Sequence, residues 1–166
     1  GEKDTLLSPM DSLRYYKHFL HTGFMSMEPT TGYVKAWVGG INYKYFQYDH
    51  VKQGSRQPGS TFKPIVYASA INNGYTPCHQ FVDQPVRFRG EGGGVWVARN
   101  ATLSYTGQPM TLRQALGQSV NSVTAGLTKA IGLREIVEHA RELGISSPLR
   151  SVPSLCLGSS EVTLFE

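Results

Sequence analysis

Ser60 and Lys63 lie three positions apart in the run GSTFKP and are the first side chains that could do chemistry together. At the start of a helix, that spacing places both side chains on one face, one turn apart. A serine hydroxyl is a weak nucleophile and needs an adjacent base, which a lysine amine supplies when its pKa is lowered. The helix N-terminus also offers backbone N–H groups to a developing oxyanion. The pattern predicts an acyl-transfer centre, although a capping serine and a solvated lysine share this spacing.

Ser119 and Asn121 form a second polar pair, which lies at a break between two predicted helices. The hydroxyl of such a pair can relay a proton, and the amide can bind a substrate carbonyl. Because serine and asparagine also favour ordinary helix caps, the pair indicates catalysis only in combination with Ser60 and Lys63.

The elements that must position these side chains begin with a change of hydrophobic period in the first 40 residues. Residues 8–22 place apolar side chains at helical spacing after Ser8, and Gly23 ends the pattern. Residues 24–27 and 33–38 are β-prone runs separated by a segment that contains a proline and a glycine. Two such runs predict an antiparallel hairpin.

The helix that carries Lys63 is predicted over residues 61–73, where Asn73-Gly74 gives a C-terminal stop. Residues 75–110 are rich in proline and glycine and are predicted to be irregular, apart from short strands at 86–88 and 95–97. An irregular stretch of that length inside a compact domain is typical of a functional loop.

Thr111 and Gln114 match a capping box, in which the hydroxyl and the amide each satisfy a backbone N–H group. They predict a helix start directly before the Ser119 break. From Thr111 on, three helices are predicted: one over 111–117, a second that ends at Gly132, and a third over 133–143. The tail at 145–166 is predicted to be mostly irregular.

Composition excludes several classes of protein. A chain of 166 residues with 40% hydrophobic residues is expected to fold as one domain rather than to remain disordered. Its net charge of +4 is scattered, whereas nucleic-acid binding requires a denser basic stripe. No apolar run is long enough to span a bilayer, and no signal peptide is visible. The histidines lack metal-ligand spacing, and Cys78 and Cys156 permit one disulfide without requiring it.

In their order, the two polar motifs resemble those of penicillin-binding proteins and serine β-lactamases. With its flanking sequences the chain resembles the transpeptidase domain of class A penicillin-binding proteins over nearly its whole length. The runs that carry the likeness are FMSMEPTTGYVKAWVGG from Phe24, RQPGSTFKP from Arg56, TLRQALGQSVN from Thr111 and LGSSEVT from Leu157.

The resemblance implies a role for each motif residue. Ser60 would attack the penultimate peptide bond of a D-Ala-D-Ala stem peptide, and Lys63 would accept its proton. Ser119 would pass a proton towards the leaving amine, and Asn121 would hold both the acyl-side amide and Lys63. A second stem peptide would take the acyl group, and β-lactam antibiotics would acylate the same serine. No cofactor and no metal are implied.

Two further positions resemble a tryptophan and asparagine pair in a loop that borders the family's cleft. They are Trp96 and Asn100, which are expected to contribute to substrate binding. Ala98, between them, stands where proline is common in the family.

The family's third motif, Lys-Thr-Gly, does not occur after Asn121. The expected fold is therefore α+β, with an N-terminal β-hairpin and a mostly helical subdomain, but without the C-terminal strands and helix of the transpeptidase fold. Residues 1–22 are predicted to be a linker helix, and residues 23–166 the N-terminal part of a transpeptidase domain, cut before the Lys-Thr-Gly strand. The missing part of the domain is an expected partner, and a membrane-anchored parent on the periplasmic, extracytoplasmic face of the inner membrane is the expected setting.

Two other functions fit the same motifs. A serine β-lactamase or D,D-carboxypeptidase would resolve the acyl-enzyme with water rather than with an amine. A non-enzymatic sensor would be acylated without turnover.

Overall fold

A computed structural model describes residues 4–89 and 93–166, which fold into two units. We call them the hairpin unit, residues 4–54 with Phe165, and the helical unit, residues 55–164 with Glu166. The mixed α+β architecture agrees with the predicted fold class.

In the hairpin unit, helix α1 spans Pro9–Lys17 and is capped by Ser8, whose hydroxyl accepts a hydrogen bond from the Asp11 backbone N–H. The predicted helix over 8–22 is therefore too long at its C-terminal end. None of the side chains of α1 is buried. A short helix without a packed face gains little from adding turns, so periodicity alone overestimated its length.

Strands β1 (Phe24–Met27) and β2 (Val34–Val38) form the predicted antiparallel hairpin. The turn closes through the Gly32 N–H, which donates to the Glu28 carbonyl over 2.8 Å, and Gly32 adopts a φ of 73°. All five residues of β2 are exposed.

The helical unit opens with a 3-10 turn over Gly59–Phe62, which leads directly into α2 (Lys63–Asn72). The predicted helix over 61–73 is confirmed, except that its first turn is wound more tightly. Pro64 lies in the first turn of α2, where its missing N–H group breaks no helical hydrogen bond.

Residues 75–110 contain more regular structure than predicted. Strand β3 (Gln80–Val82) pairs with β6 (Pro109–Thr111), and the prediction of an irregular segment missed both strands. Strands β4 (Arg87–Arg89) and β5 (Val95–Val97) pair antiparallel, within one residue of the predicted positions. Strands of three residues leave almost no periodic signal, because pairing across a long loop rather than local pattern creates them.

Three helices complete the unit: α3 (Leu112–Gly117), α4 (Asn121–Ile131) and α5 (Leu133–Glu142). Both halves of the capping box predicted from Thr111 and Gln114 are formed. Helix α2 packs against α3, α4 and α5, and the buried core lies between these helices. Its fully buried large side chains include Phe62, Leu112, Leu127, Ile136 and Leu155.

The tail predicted to be mostly irregular contains a 3-10 helix over Pro153–Leu157 and an isolated bridge between Arg56 and Val162. Cys78 is exposed and Cys156 is buried, and both thiols are free, so the disulfide that the count permitted is not formed. In the part of the chain that the structure describes, no helix has the length and apolar character needed to cross a membrane.

Candidate active site

The amine of Lys63 lies at the centre of the predicted site. Its Nζ donates hydrogen bonds to the Ser119 carbonyl over 2.7 Å, to Ser119 Oγ over 2.9 Å and to Asn121 Oδ1 over 2.6 Å. The residue is 1% exposed. The structure thus brings three of the predicted site residues together across more than fifty positions of sequence.

Burial lowers the pKa of the Lys63 amine below its ordinary value. Removal from water disfavours the charged form of a lysine, whereas the three acceptors around Nζ stabilise the ammonium. The lysine is therefore held at one position while its affinity for a proton is reduced. These are the two properties that a lysine needs in order to act as a base.

Ser119 reaches Lys63 because its backbone turns sharply after α3. Ser119 has a φ of 56°, in the left-handed region, and the Val120 N–H donates to the Ala115 carbonyl over 2.9 Å. Glycine usually takes this position after a helix, and another residue type pays roughly 1–2 kcal/mol for the conformation. A strained serine next to a buried lysine indicates a functional constraint.

Ser60 is exposed and lies in the 3-10 turn one turn before Lys63. Its carbonyl accepts the Lys63 backbone N–H. In the described chain the Lys63 amine is bonded to Ser119 and Asn121 rather than to the Ser60 hydroxyl. The hydroxyl is consequently open to an incoming molecule at the start of the helix that carries the amine.

The turn that holds Ser60 is in close contact with Gly158. The Gly59 N–H donates to the Gly158 carbonyl over 3.2 Å. A Cβ atom at position 158 would lie only 2.2 Å from the Gly59 carbonyl oxygen. Gly158 has a φ of 72°. Only glycine therefore satisfies both the conformation and the close approach of the two backbones.

Asn121 connects the site to a neighbouring loop. Its Oδ1 accepts from Lys63, and its Nδ2 donates to the Arg99 carbonyl over 2.8 Å. The Arg99 carbonyl was not predicted to belong to the site, because a backbone acceptor leaves no trace in the residue type.

Trp96 and Asn100, the two residues expected to border the cleft, differ in burial and in their partners. Trp96 is half-buried in β5, where its ring lies 5.6 Å from that of Phe88. Asn100 is buried, and both ends of its amide are bonded within the chain, to Asp83, Ser104 and Ser122. The Asn100 amide therefore supports the loop from inside, and substrate binding by Asn100 stays a prediction. For Trp96, substrate binding stays a prediction.

Asp83 and Ser122 were missed by the sequence reasoning, although both are buried beside the site. Ser122 follows Asn121 and has the residue type of an ordinary helix cap. Asp83 lies two positions before Pro85 and has the residue type of a turn. Within residues 4–89 and 93–166, no group of three or more His, Cys, Asp or Glu side chains is arranged to hold a metal ion.

Comparison with known proteins identifies the family of the chain. A family model described as the penicillin-binding protein transpeptidase domain matches residues 22–154, and one described as the penicillin-binding protein middle domain matches residues 1–20. The chain therefore belongs to the penicillin-binding protein transpeptidase family.

A related protein is penicillin-binding protein 2D of Bacillus subtilis, which is 35% identical over 148 residues, 89% of this chain and 21% of the relative. The chain thus spans about a fifth of that relative's length. Penicillin-binding protein 1A of Haemophilus influenzae is similar in structure, with a TM-score of 0.80 and 28% identity over 86% of this chain and 21% of that one. The imipenem acyl-enzyme complex of penicillin-binding protein A from Mycobacterium tuberculosis has a TM-score of 0.55 and 23% identity over 66% of this chain and 30% of that one, which is a likeness of fold.

Proposed function

We propose that this chain supplies the nucleophile half of a serine-type peptidoglycan D,D-transpeptidase, with Ser60 as nucleophile and Lys63 as its base. The observation that carries the proposal is the buried Lys63 amine, which is held by Ser119 and Asn121 one turn after an exposed serine. The family membership supports an acyl-transfer reaction of this kind.

In the proposed reaction, Ser60 Oγ attacks the carbonyl of the penultimate D-alanine, and the neutral Lys63 amine takes the hydroxyl proton. The tetrahedral intermediate collapses to an ester on Ser60 as the C–N bond breaks. Ser119, whose hydroxyl lies 2.9 Å from Lys63 Nζ, passes the proton to the leaving amine. The amine of a second stem peptide then attacks the ester, which forms the cross-link and releases Ser60.

A β-lactam would acylate Ser60 through the same first step. The relative from Mycobacterium tuberculosis, solved as an imipenem acyl-enzyme complex, shares the fold and supports β-lactams as ligands of this family. The Asn121 amide and Trp96 are the side chains proposed to hold the acyl part of the substrate.

The Lys-Thr-Gly strand and the remaining strands of the sheet are proposed as partners that complete the cleft. Strand β2 is exposed along its whole length and offers a place for further sheet residues. We propose that residues 1–22 lead into the domain and that the active protein works on the extracytoplasmic face of the membrane, where stem peptides are found. On this basis the isolated chain is expected to acylate slowly.

The test is to incubate the 166-residue chain with a fluorescent penicillin and to locate the adduct by peptide mass spectrometry. We expect a slow, stoichiometric adduct on Ser60 that is lost in Ser60→Ala. In the matched control Ser104→Ala, which replaces an exposed serine elsewhere in the unit, the adduct should remain. An adduct that persists in Ser60→Ala, or none after prolonged saturating exposure, would overturn the assignment. Labelling as fast as that of full-length penicillin-binding protein 2D would contradict the need for a completing strand.

A further inference from the structure

Asp83 is a buried carboxylate that accepts four hydrogen bonds. Its Oδ1 accepts from Asn100 Nδ2 over 2.8 Å and from Ser122 Oγ over 2.5 Å. Its Oδ2 accepts from the backbone N–H and the hydroxyl of Thr106, over 2.8 and 3.0 Å. The residue is 3% exposed. Hydrogen bonds to an ionised carboxylate are roughly twice as strong as neutral ones, so this network fixes its members firmly.

The backbone of Asp83 is fixed as well. It follows β3 directly, its N–H donates to the Gln108 carbonyl over 3.0 Å, and its carbonyl accepts from the Gly107 N–H over 2.9 Å. The carboxylate therefore projects from a strand pair that is anchored on both sides, and β6 of that pair leads directly into α3.

The network ends one residue away from the proposed active site, on two separate segments. Ser122 follows Asn121 at the start of α4, and its backbone N–H donates to Asn100 Oδ1 over 3.0 Å. Asn100 follows Arg99, whose carbonyl accepts from Asn121 Nδ2. Asp83 thus holds the chain neighbours of both Asn121 and its acceptor.

The ionised form of Asp83 suits this position. Burial alone would raise the pKa of the carboxyl, but hydrogen bonds from Ser122, Thr106 and Asn100 outweigh it and lower the pKa. The carboxylate also lies beside the first turn of the eleven-residue helix α4, where the positive end of the helix dipole stabilises an anion.

We propose that Asp83 is a positioning residue for the acyl transfer, because its carboxylate holds Ser122 and Asn100 so that Asn121 stays on the Lys63 amine. The inference rests on the proposed function for its effect on rate. Its structural part, that Asp83 sets the position of Asn121, can be measured without any reaction.

Asp83→Asn is the decisive variant, since it keeps the shape and removes one acceptor. Whichever way the new amide is turned, its NH₂ group faces a donor, either the Thr106 N–H or the Asn100 NH₂. The Asn100 amide cannot turn over to compensate, because its Oδ1 is already bonded to the Ser122 N–H. Ser122→Ala is a milder second variant that removes one donor and leaves the other three bonds to the carboxylate intact.

The first measurement follows the site itself by NMR, through the side-chain amide signals of Asn121 and the Cε signal of Lys63. In Asp83→Asn we expect both sets of signals to shift, and in Ser122→Ala to shift less. The control Ile136→Val removes a buried methylene from α5, away from the network, and should leave both sets unchanged. If the Asn121 and Lys63 signals of Asp83→Asn match those of the unaltered chain, the positioning role is refuted, whether or not Ser60 reacts.

The second measurement is the rate of acylation of Ser60 by a fluorescent penicillin. A misplacement of about 1 Å costs roughly 10²-fold in rate, so the acylation rate constant of Asp83→Asn should fall by that order. The affinity of the non-covalent encounter should change little. An equal fall in Ile136→Val would reduce the effect to general destabilisation and would overturn the proposal. If the unaltered chain forms no adduct, the proposed function fails, and the NMR comparison still decides the positioning role.

Discussion

The hairpin unit and the helical unit contain apolar side chains at similar density but bury them very differently. Among the described residues, the buried apolar side chains lie in the helical unit, with Val51 as the exception. The hairpin unit instead exposes many of its large apolar side chains, including Leu13 at 58%, Tyr33 at 68% and Val34 at 43%.

This contrast shows that an apolar pattern predicts a helix or a strand without predicting which side chains pack against it. The β1–β2 hairpin and α1 both formed where their patterns indicated, yet neither contains a buried side chain. In the helical unit, equally ordinary patterns on α2, α4 and α5 converge on one core. Lys63 is buried in the same unit, so its chemistry depends on the stability of the helical unit.

The largest expected difference between the units is in the cost of removing a leucine side chain from a helix. Leu127→Ala empties a fully buried position in α4 and should lower the free energy of unfolding by about 2–5 kcal/mol. Leu13→Ala in α1 removes an exposed side chain and should change it by no more than about 0.5 kcal/mol. Urea denaturation followed by circular dichroism measures both, and equal losses would contradict the contrast in burial.

A second pair of variants separates backbone strain from crowding. Gly32 and Gly158 have nearly the same φ, 73° and 72°, so replacement by alanine costs each about 1–2 kcal/mol of strain. A Cβ at 32 meets no atom within 4 Å, whereas one at 158 meets the Gly59 backbone. Gly158→Ala should therefore destabilise more than Gly32→Ala in thermal unfolding and should also slow acylation of Ser60. The interpretation fails if the two variants behave alike.

A third difference concerns the contribution of Asp83 to stability, which is expected to change only at acidic pH. The pKa of Asp83 is lowered in the folded chain, because hydrogen bonds from Ser122, Thr106 and Asn100 outweigh the opposing effect of burial. A lowered folded pKa adds stability above the ordinary value of 3.8, and this stability is lost as the pH falls through the folded pKa.

In Asp83→Asn, the free energy of unfolding should therefore depend less steeply on pH below about pH 4. Asp11→Asn, on the exposed α1 of the hairpin unit, is the matched control and should retain the acid sensitivity. The measurement is urea unfolding between pH 2 and pH 7. An unaltered slope in Asp83→Asn would show that the carboxylate is not stabilised by its partners.

The smallest expected difference concerns two helix caps. Thr111 caps α3 through a complete capping box, and Thr111→Ala should cost about 0.5–2 kcal/mol in the unfolding of the helical unit. Ser8 caps α1, which buries no residue, so Ser8→Ala should reduce helicity without shifting the main unfolding transition. A calorimetric scan distinguishes the two, and a comparable shift for Ser8→Ala would mean that α1 is energetically coupled to the core.

Local rules predicted the elements of this protein where short-range physics decides them. The hairpin followed from a turn between two β-prone runs, and the start of α3 from Thr111 and Gln114. The rules failed where pairing is long-range, as in β3 and β6, or where packing limits length, as at the end of α1. Residue type alone also did not reveal that the Asn100 amide is bonded within the chain at both of its ends.

The sequence by itself determined the identity and spacing of Ser60 and Lys63, the helix break at Ser119 and Asn121 as a possible site, and the family resemblance. Only the tertiary structure decided that the Lys63 amine is buried, that Ser119 and Asn121 bind it, and that Asp83 is bonded to Ser122 and Asn100. The physical reason is that spacing along one helix fixes which side chains share a face. Burial, by contrast, and with it a lowered pKa, arises only when distant segments pack together and exclude water.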